Sequence, residues 1–264
     1  MKDFLKQNSP NNFLPFAVQK QAAKQFQCSF RDVEKLALEL EITPLRYKRN
    51  QSTIDVHAQK KLFDAHVAII GCGGLGGHIA EIMARLGIGE LSLFDFDVFE
   101  EHNLNRQNFS NIEQIGKEKV LVVKEALEKI NPAVKINPYI KKFEPEKDFN
   151  LIESADIVID ALDNPETKLK LAKVCKEKQK HFVHGAIAGT TGQFTTNNTL
   201  ENFYRNGGKG VETALGNPAF SVTFAASIQS AEVVKLILNT GKKLDKEFLI
   251  SDLFENEFII LPMS

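Results

Sequence analysis

Cysteine is scarce: Cys28, Cys72 and Cys175 lie far apart and include no C-x-x-C pair. Neither a disulfide framework nor a structural zinc site of the usual spacing is therefore expected. An excess of one charge is missing as well. A net charge of −1 gives no electrostatic case for nucleic acid as a partner. No uninterrupted apolar run approaches the ~20 residues needed to span a bilayer, so no membrane role is expected. The opening Met1-Lys2-Asp3-Phe4-Leu5-Lys6 has no apolar signal core, which makes a cytoplasmic location the expectation. No internal repeat or low-complexity segment stands out. With 43% hydrophobic and 25% charged residues, the 264-residue chain suits a soluble protein with one large core and at most a small appendage.

The most informative stretch runs from His66 to Gln107. Val67-Ala68-Ile69-Ile70 is a β-branched run suited to a strand buried on both faces. Gly71-Cys72-Gly73-Gly74-Leu75-Gly76 comes next and satisfies G-x-G-x-x-G through Gly71, Gly73 and Gly76. Helical spacing continues through Ile79, Ile82, Met83 and Leu86, and a second strand, Leu91 to Phe94, closes on Asp95. This is the start of a βαβ unit, in which glycines let the backbone approach a phosphate at a helix start. Asp95, 19 positions beyond Gly76 (95 − 76), is placed to accept hydrogen bonds from ribose hydroxyls.

The glycine motif alone suits a nicotinamide-dependent oxidoreductase equally well. The residues beyond the second strand do not. Asp95-Phe96-Asp97-Val98 and Asn103-Leu104-Asn105-Arg106-Gln107 gather carboxylates, amides and a guanidinium past the strand's carboxyl end, where doubly wound sheets bind ligands. Hydride transfer has no need of such a cluster, whereas a site that holds a triphosphate and releases pyrophosphate must match the departing charge. The ordered motifs G-x-G-G-L-G, D-x-D-x-V and N-L-x-R-Q resemble the MoeB/ThiF/HesA family, bacterial relatives of the ubiquitin-activating enzymes.

The resemblance runs from about Arg46 to the C-terminus, and it implies the fold, ligand and reaction. The expected fold is α/β: a Rossmann-like doubly wound, mostly parallel sheet with antiparallel C-terminal strands and a small N-terminal helical extension. Residues 46–264 would form the adenylation domain and residues 1–45 a tail plus a small helical element. Magnesium-ATP would lie over Gly71, Gly73, Gly74 and Gly76 with its ribose on Asp95. Arg106 and Lys119 would neutralise the phosphates, Asn103 would orient them, and Asp163, with Asp97, would hold the magnesium beside Asn164. Arg46-Tyr47-Lys48-Arg49-Asn50 matches the segment whose second arginine, here Arg49, reaches into the neighbouring subunit's nucleotide site, which implies a homodimer. A guanidinium suits that task because it stays charged and grips two phosphate oxygens. The implied substrate is the terminal glycine carboxylate of a small ubiquitin-fold sulfur carrier ending in Gly-Gly, in molybdopterin, tungstopterin or thiazole synthesis. Many relatives carry two zinc-binding C-x-x-C pairs and some a transfer cysteine in the loop corresponding to Thr195–Gly216; this chain has neither. Adenylation without a subsequent enzyme thioester is the step that remains. The carboxylate of a peptide or of a tRNA-borne threonylcarbamoyl group is the alternative substrate. An NAD-dependent oxidoreductase and a non-catalytic scaffold are the alternatives outside that chemistry.

Elsewhere, Met1 to about Pro15 reads as a loose tail rich in Asn, Lys and Pro. Helices are expected over Ala17–Phe26 and after Ser29, an N-cap with Asp32 three positions on, with Val33, Leu36, Ala37 and Leu40 as the buried stripe. This pair suits a docking element better than a DNA-reading one, because no basic recognition face is present. Ile115 to Val120 is expected to open a helix running to Ile130, with Lys117 a solvated charge, and Val134–Ile140 to form a strand. Ile157–Asp160 ends in carboxylates before a helix starting at Pro165, where Asp163 or Asn164 also serves as a cap. His181 and His184 read as structural. Asn197–Gly216 reads as a polar loop, Pro218–Leu238 as a long buried helix, and Phe248–Ile250 with Phe258–Leu261 as closing antiparallel strands.

Overall fold

The computed structural model describes residues 1–197, 200 and 215–262. An eight-stranded sheet forms its centre. In chain order its strands are β3 (His66–Ile70), β4 (Glu90–Asp95), β5 (Lys135–Ile140), β6 (Ile157–Asp160), β7 (His181–Ala188), β8 (Thr191–Thr196), β9 (Glu247–Asp252) and β10 (Glu257–Pro262). The spatial order is β10-β9-β8-β7-β6-β3-β4-β5. The five strands from β5 to β7 are parallel, and β8, β9 and β10 run antiparallel to their neighbours. The doubly wound sheet with antiparallel closing strands is therefore the observed fold.

Alternation along each strand divides the core. Val67 and Ile69 of β3, with Ile157 and Ile159 of β6, face α5 (Gly74–Leu86), α6 (Lys119–Ile130) and a twenty-residue helix, Ala219–Leu238. Ala68, Ile70 and Val158 point the other way, onto Leu171, Ala172 and Cys175 of α8 (Pro165–Glu177). That two-sided burial is why the parallel strands read as continuous apolar runs. The Ala219–Leu238 helix is long and apolar enough to cross a bilayer by length and composition. Here it packs against α5 and β7, with Val222, Ala225, Ala226 and Val233 in the core.

The N-terminal residues depart from expectation. Instead of a loose tail, Lys2–Asn8 forms α1, and Leu5 is fully buried with Leu14, Ala22, Val33, Ala37 and Ile42. Seven residues are too short to display a helical period, but Phe4 meets Phe26 edge to face at 5.9 Å and anchors the segment. Asn11 and Asn12 then turn the chain through left-handed conformations. Helices α2 (Phe16–Gln25) and α3 (Phe30–Glu39) come next, and α3 starts with the expected Ser29/Asp32 capping box, both hydrogen bonds formed. A short parallel pair, β1 (Phe13–Leu14) and β2 (Thr43–Pro44), closes this unit. The chain then makes a 3₁₀ turn at Leu45–Asn50 and reaches the sheet through α4 (Val56–Asp64).

A second correction concerns residues 115–118. These bridge back to Val98 and Phe99, with Gly116 at φ +86°, so the helix starts at Lys119 rather than at Ile115. The strand predicted from Val134 starts at Lys135. Most of the polar loop expected over Asn197–Gly216 lies outside the described residues.

Candidate functional site

The site forms where strand order reverses, between β3 and β6. β3 runs directly into the glycine turn. Gly71 has φ +100°, and a Cβ there would sit 2.5 Å from the Ala161 carbonyl oxygen, so the turn lies against the chain leaving β6. A Cβ on Gly76 would fall 1.8 Å from the Gly71 carbonyl oxygen. Gly76 is thus a packing glycine beneath the turn and does not line the cavity, contrary to its expected ligand contact. Gly73 differs: it caps α5, and a Cβ there would meet nothing closer than the Gln107 amide nitrogen at 3.6 Å. Among the described residues no side chain caps that helix start, so its first N–H groups are open to an anion.

A cavity of about 390 Å³ opens over this turn. Gly71, Gly73, Gly74, Asp95, Asp97, Asn103, Arg106, Lys119, Asp163 and Asn164, all expected in the site, line it together. Arg49 does not. It is exposed on the Leu45–Asn50 turn, and its side chain makes no hydrogen bond or ion pair among the described residues.

Within the cavity, Asp95 at the end of β4 accepts backbone hydrogen bonds from Cys72 at 2.7 Å and Asp97 at 2.9 Å. Burial raises its carboxyl above the ordinary value of 3.8, against the pull of those two N–H groups. The Lys119 ammonium is buried at the first turn of α6, 3.3 Å from Asp97 Oδ2. A cation at a helix start opposes the helix dipole, so the site holds positive charge that an anion would complement. Arg106 donates to the His102 carbonyl at 2.9 Å and to Asn105 Oδ1 at 2.7 Å, which holds its guanidinium at the cavity edge. Asn103 accepts from the Glu100 N–H at 2.9 Å. Asn164 accepts from the Thr167 N–H at 2.9 Å and caps α8, so the capping role is realised there. Asp163 beside it is exposed and carries no ion pair among the described residues.

The residues fit a magnesium-nucleotide. Gln107 Oε1 and Asn217 Oδ1 are buried cavity-side atoms with no hydrogen-bond partner among the described residues, and each can accept from a ligand. The unfilled space at Gly73 is a cradle for a phosphate. Asp97 and Asp163 offer the hard oxygen ligands that magnesium prefers.

Sequence reasoning gave no role to several lining residues. Gln107 closes the N-L-x-R-Q motif, so its signal was there to be used. Lys141 and Lys142 come directly after β5, and Lys142 lies 6.0 Å from the exposed Phe96 ring. Nothing local marks them, nor Asn217, because β5 and the 217 segment arrive from distant parts of the chain. Below the Ala161–Asp163 loop lies a buried ionic group. Asp160 accepts from Lys168 at 3.2 Å and meets His184 Nδ1 at 2.6 Å, and its Oδ1 accepts from the Leu162 N–H at 3.1 Å. Burial pushes the Asp160 carboxyl up, but the Lys168 charge and the His184 hydrogen bond outweigh it and hold it below its usual range. His184 therefore sits in a packed interior network, while His181 is exposed on the rim of the sheet.

The cysteines are poorly suited to acyl transfer. Burial pushes the Cys72 thiol well up, and that of Cys175 to about 12, far from a reactive thiolate. Cys28 belongs to the N-terminal unit.

Comparison with known proteins bears on the family and the fold. The family model described as the ThiF family matches residues 47–264. Molybdopterin-synthase adenylyltransferase of Haemophilus influenzae is 33% identical over 222 residues, covering 80% of this chain and 90% of that protein. SAMP-activating enzyme E1 of Haloferax volcanii is 29% identical over 238 residues, with 86% and 88% covered. Adenylyltransferase and sulfurtransferase MOCS3 of Xenopus laevis is 38% identical over 156 residues, which span 58% of this chain and only 35% of that longer protein. Among solved structures, Escherichia coli MccB superposes with a TM-score of 0.71 at 24% identity, over 83% of this chain and 69% of that one. At that identity the likeness speaks for the fold alone.

Proposed function

The chain belongs to the ThiF family, and from that premise we propose that it adenylates the C-terminal glycine carboxylate of a small ubiquitin-fold sulfur carrier. The carrying observation is the single cavity that brings the glycine cradle, Asp95, Arg106, Lys119 and Asp163 together at the reversal of strand order. ATP would lie with its phosphates at the start of α5 and its ribose on Asp95. The raised Asp95 carboxyl is short of solvent, which favours hydrogen-bond donors such as ribose hydroxyls. Arg106 and Lys119 neutralise the phosphates, and Gln107 and Asn217 supply acceptors. Magnesium, entering with ATP, would be held by Asp163 with Asp97 and would add positive charge over the phosphates.

The substrate carboxylate is already a nucleophile, so the protein supplies none. One carboxylate oxygen forms a bond to the α-phosphorus, and the bond from that phosphorus to the bridging oxygen breaks. The electron pair leaves with pyrophosphate. Positioning and charge neutralisation account for the catalysis. With both interior thiols held protonated, the acyl-adenylate is the product delivered onward. Arg49 lies outside its own cavity and is exposed, so in this reading it completes the site of a second subunit in a homodimer. A nicotinamide dinucleotide has a diphosphate for Arg106 and Lys119 but brings no magnesium, so it would leave Asp163 without a task.

The test is ATP–pyrophosphate exchange in Arg49→Ala and Asp163→Ala variants with carrier present. Each should lose exchange while keeping its thermal unfolding transition. Near-normal exchange in either removes that residue from the mechanism.

A further inference from the structure

The N-terminal helical unit precedes the matched family region, yet it is wired into it by buried polar groups. Glu34 of α3 is fully buried. Its Oε2 pairs with Arg46 Nη1, and its Oε1 accepts from the Tyr47 hydroxyl at 2.8 Å. Gln19 of α2 contacts the same carboxylate at 3.3 Å and accepts from Arg46 Nη2. The network continues inward. Asn131, which caps the C-terminal end of α6, donates to the Tyr47 hydroxyl at 2.8 Å and to the Ala84 carbonyl of α5 at 2.9 Å. The far ends of both helices, at Gly74 and Lys119, line the nucleotide cavity. Arg46 and Tyr47 also begin the 3₁₀ turn that exposes Arg49.

We propose that Glu34 is a positioning residue: it locks Arg46 and Tyr47 to the bases of α5 and α6, so that Arg49 is delivered at a fixed place to the second subunit. This rests on the adenylation reading above and gives residues 1–45 a role within it. The Arg49 side chain makes no hydrogen bond or ion pair among the described residues, so its place follows the backbone leaving Tyr47. A buried carboxylate suits the task because three donors, from Arg46, Tyr47 and Gln19, converge on it, and an amide at the same place would leave the Arg46 guanidinium without its counter-charge.

Subunit mixing tests this. Arg49→Ala subunits retain an intact nucleotide site, and Asp163→Ala subunits retain the reaching arginine. Co-expressed, they should restore about a quarter of wild-type ATP–pyrophosphate exchange, since half of the dimers form with one complete site each. Glu34→Gln is then added to one subunit at a time. On the Asp163→Ala subunit, which donates Arg49, it should cut restored exchange by at least about tenfold, as expected for a misplaced catalytic group. On the Arg49→Ala subunit it should change exchange by less than about twofold, because that subunit's Arg49 side chain is already gone. Arg46→Lys, a milder lesion of the same pair, should show the same asymmetry should Glu34→Gln fail to fold. Equal losses on both subunits, or no loss on the donor, would overturn the positioning role and leave the adenylation reading standing. If the parent mixture shows no complementation although each single variant folds and wild type is active, Arg49 does not act across subunits, and this proposal falls with that assignment.

Discussion

A Cβ added at Gly76 would lie 1.8 Å from the Gly71 carbonyl oxygen, and the turn must open by about 1.2 Å (3.0 − 1.8) to reach 3.0 Å. The obstruction is backbone, which cannot rotate aside. Gly76→Ala should therefore cost about 3 kcal/mol, the upper end of overpacking penalties, or roughly 6–12 °C in unfolding midpoint at this chain length. A Cβ at Gly73 meets nothing nearer than 3.6 Å, so Gly73→Ala should hold its midpoint within about 2 °C. It instead fills the space in which a phosphate approaches the start of α5. We expect ATP affinity to fall at least about tenfold, or ~1.4 kcal/mol, and the stabilisation conferred by ATP to fall by the same amount. The assay is thermal unfolding with and without magnesium-ATP. An unchanged midpoint for Gly76→Ala, or a full ATP-induced shift for Gly73→Ala, would refute this division of labour within the turn.

The geometry carries three further expectations. Lys119→Met removes a buried cation whose ion pair is to the half-exposed Asp97, so the fold should persist while adenylation drops by about 10²–10³-fold; steady-state exchange kinetics beside an unfolding curve check both halves. Burial holds the His184 imidazole below its ordinary 6.5, so the unfolded chain takes up that proton first. Stability from this group is thus complete above pH 6.5 and is lost as pH falls through the window below it; unfolding midpoints between about pH 7 and pH 5 should decline less in His184→Gln than in wild type. Cys175→Ala and Cys28→Ala should each keep adenylation within about twofold, since neither thiol is placed to attack; a tenfold loss in either would reopen the covalent route.

The parallel half of the sheet was legible because β3, β4 and β6 are buried on both faces and end in recognisable punctuation: glycines, Asp95 and the Asp163-Asn164-Pro165 sequence. Hydrophobic period and cap chemistry also placed α3 and the Ala219–Leu238 helix. The hidden features depended on contacts between distant segments. Leu5 is buried only because α2 and α3 fold over it, and no local pattern announces that. The bridge from Val98–Phe99 to residues 115–118 overrode a helix-like composition. In the site, motif residues such as Asp95, Arg106 and Lys119 could be named from their spacing. Lys142 and Asn217 could not, since they reach the cavity through topology. Gly76 shows the limit of motif reasoning: its position in the pattern is correct, but its task is to admit the Gly71 carbonyl.

Whether this chain activates a carrier's terminal carboxylate is decided by ATP–pyrophosphate exchange, measured with candidate ubiquitin-fold carriers and with the same carriers lacking the terminal glycine. Exchange should require magnesium, appear with one carrier, and vanish when that carrier's last glycine is removed. Confirmed ATP binding without exchange for any carrier, or exchange indifferent to the terminal glycine, would contradict adenylation of such a carrier.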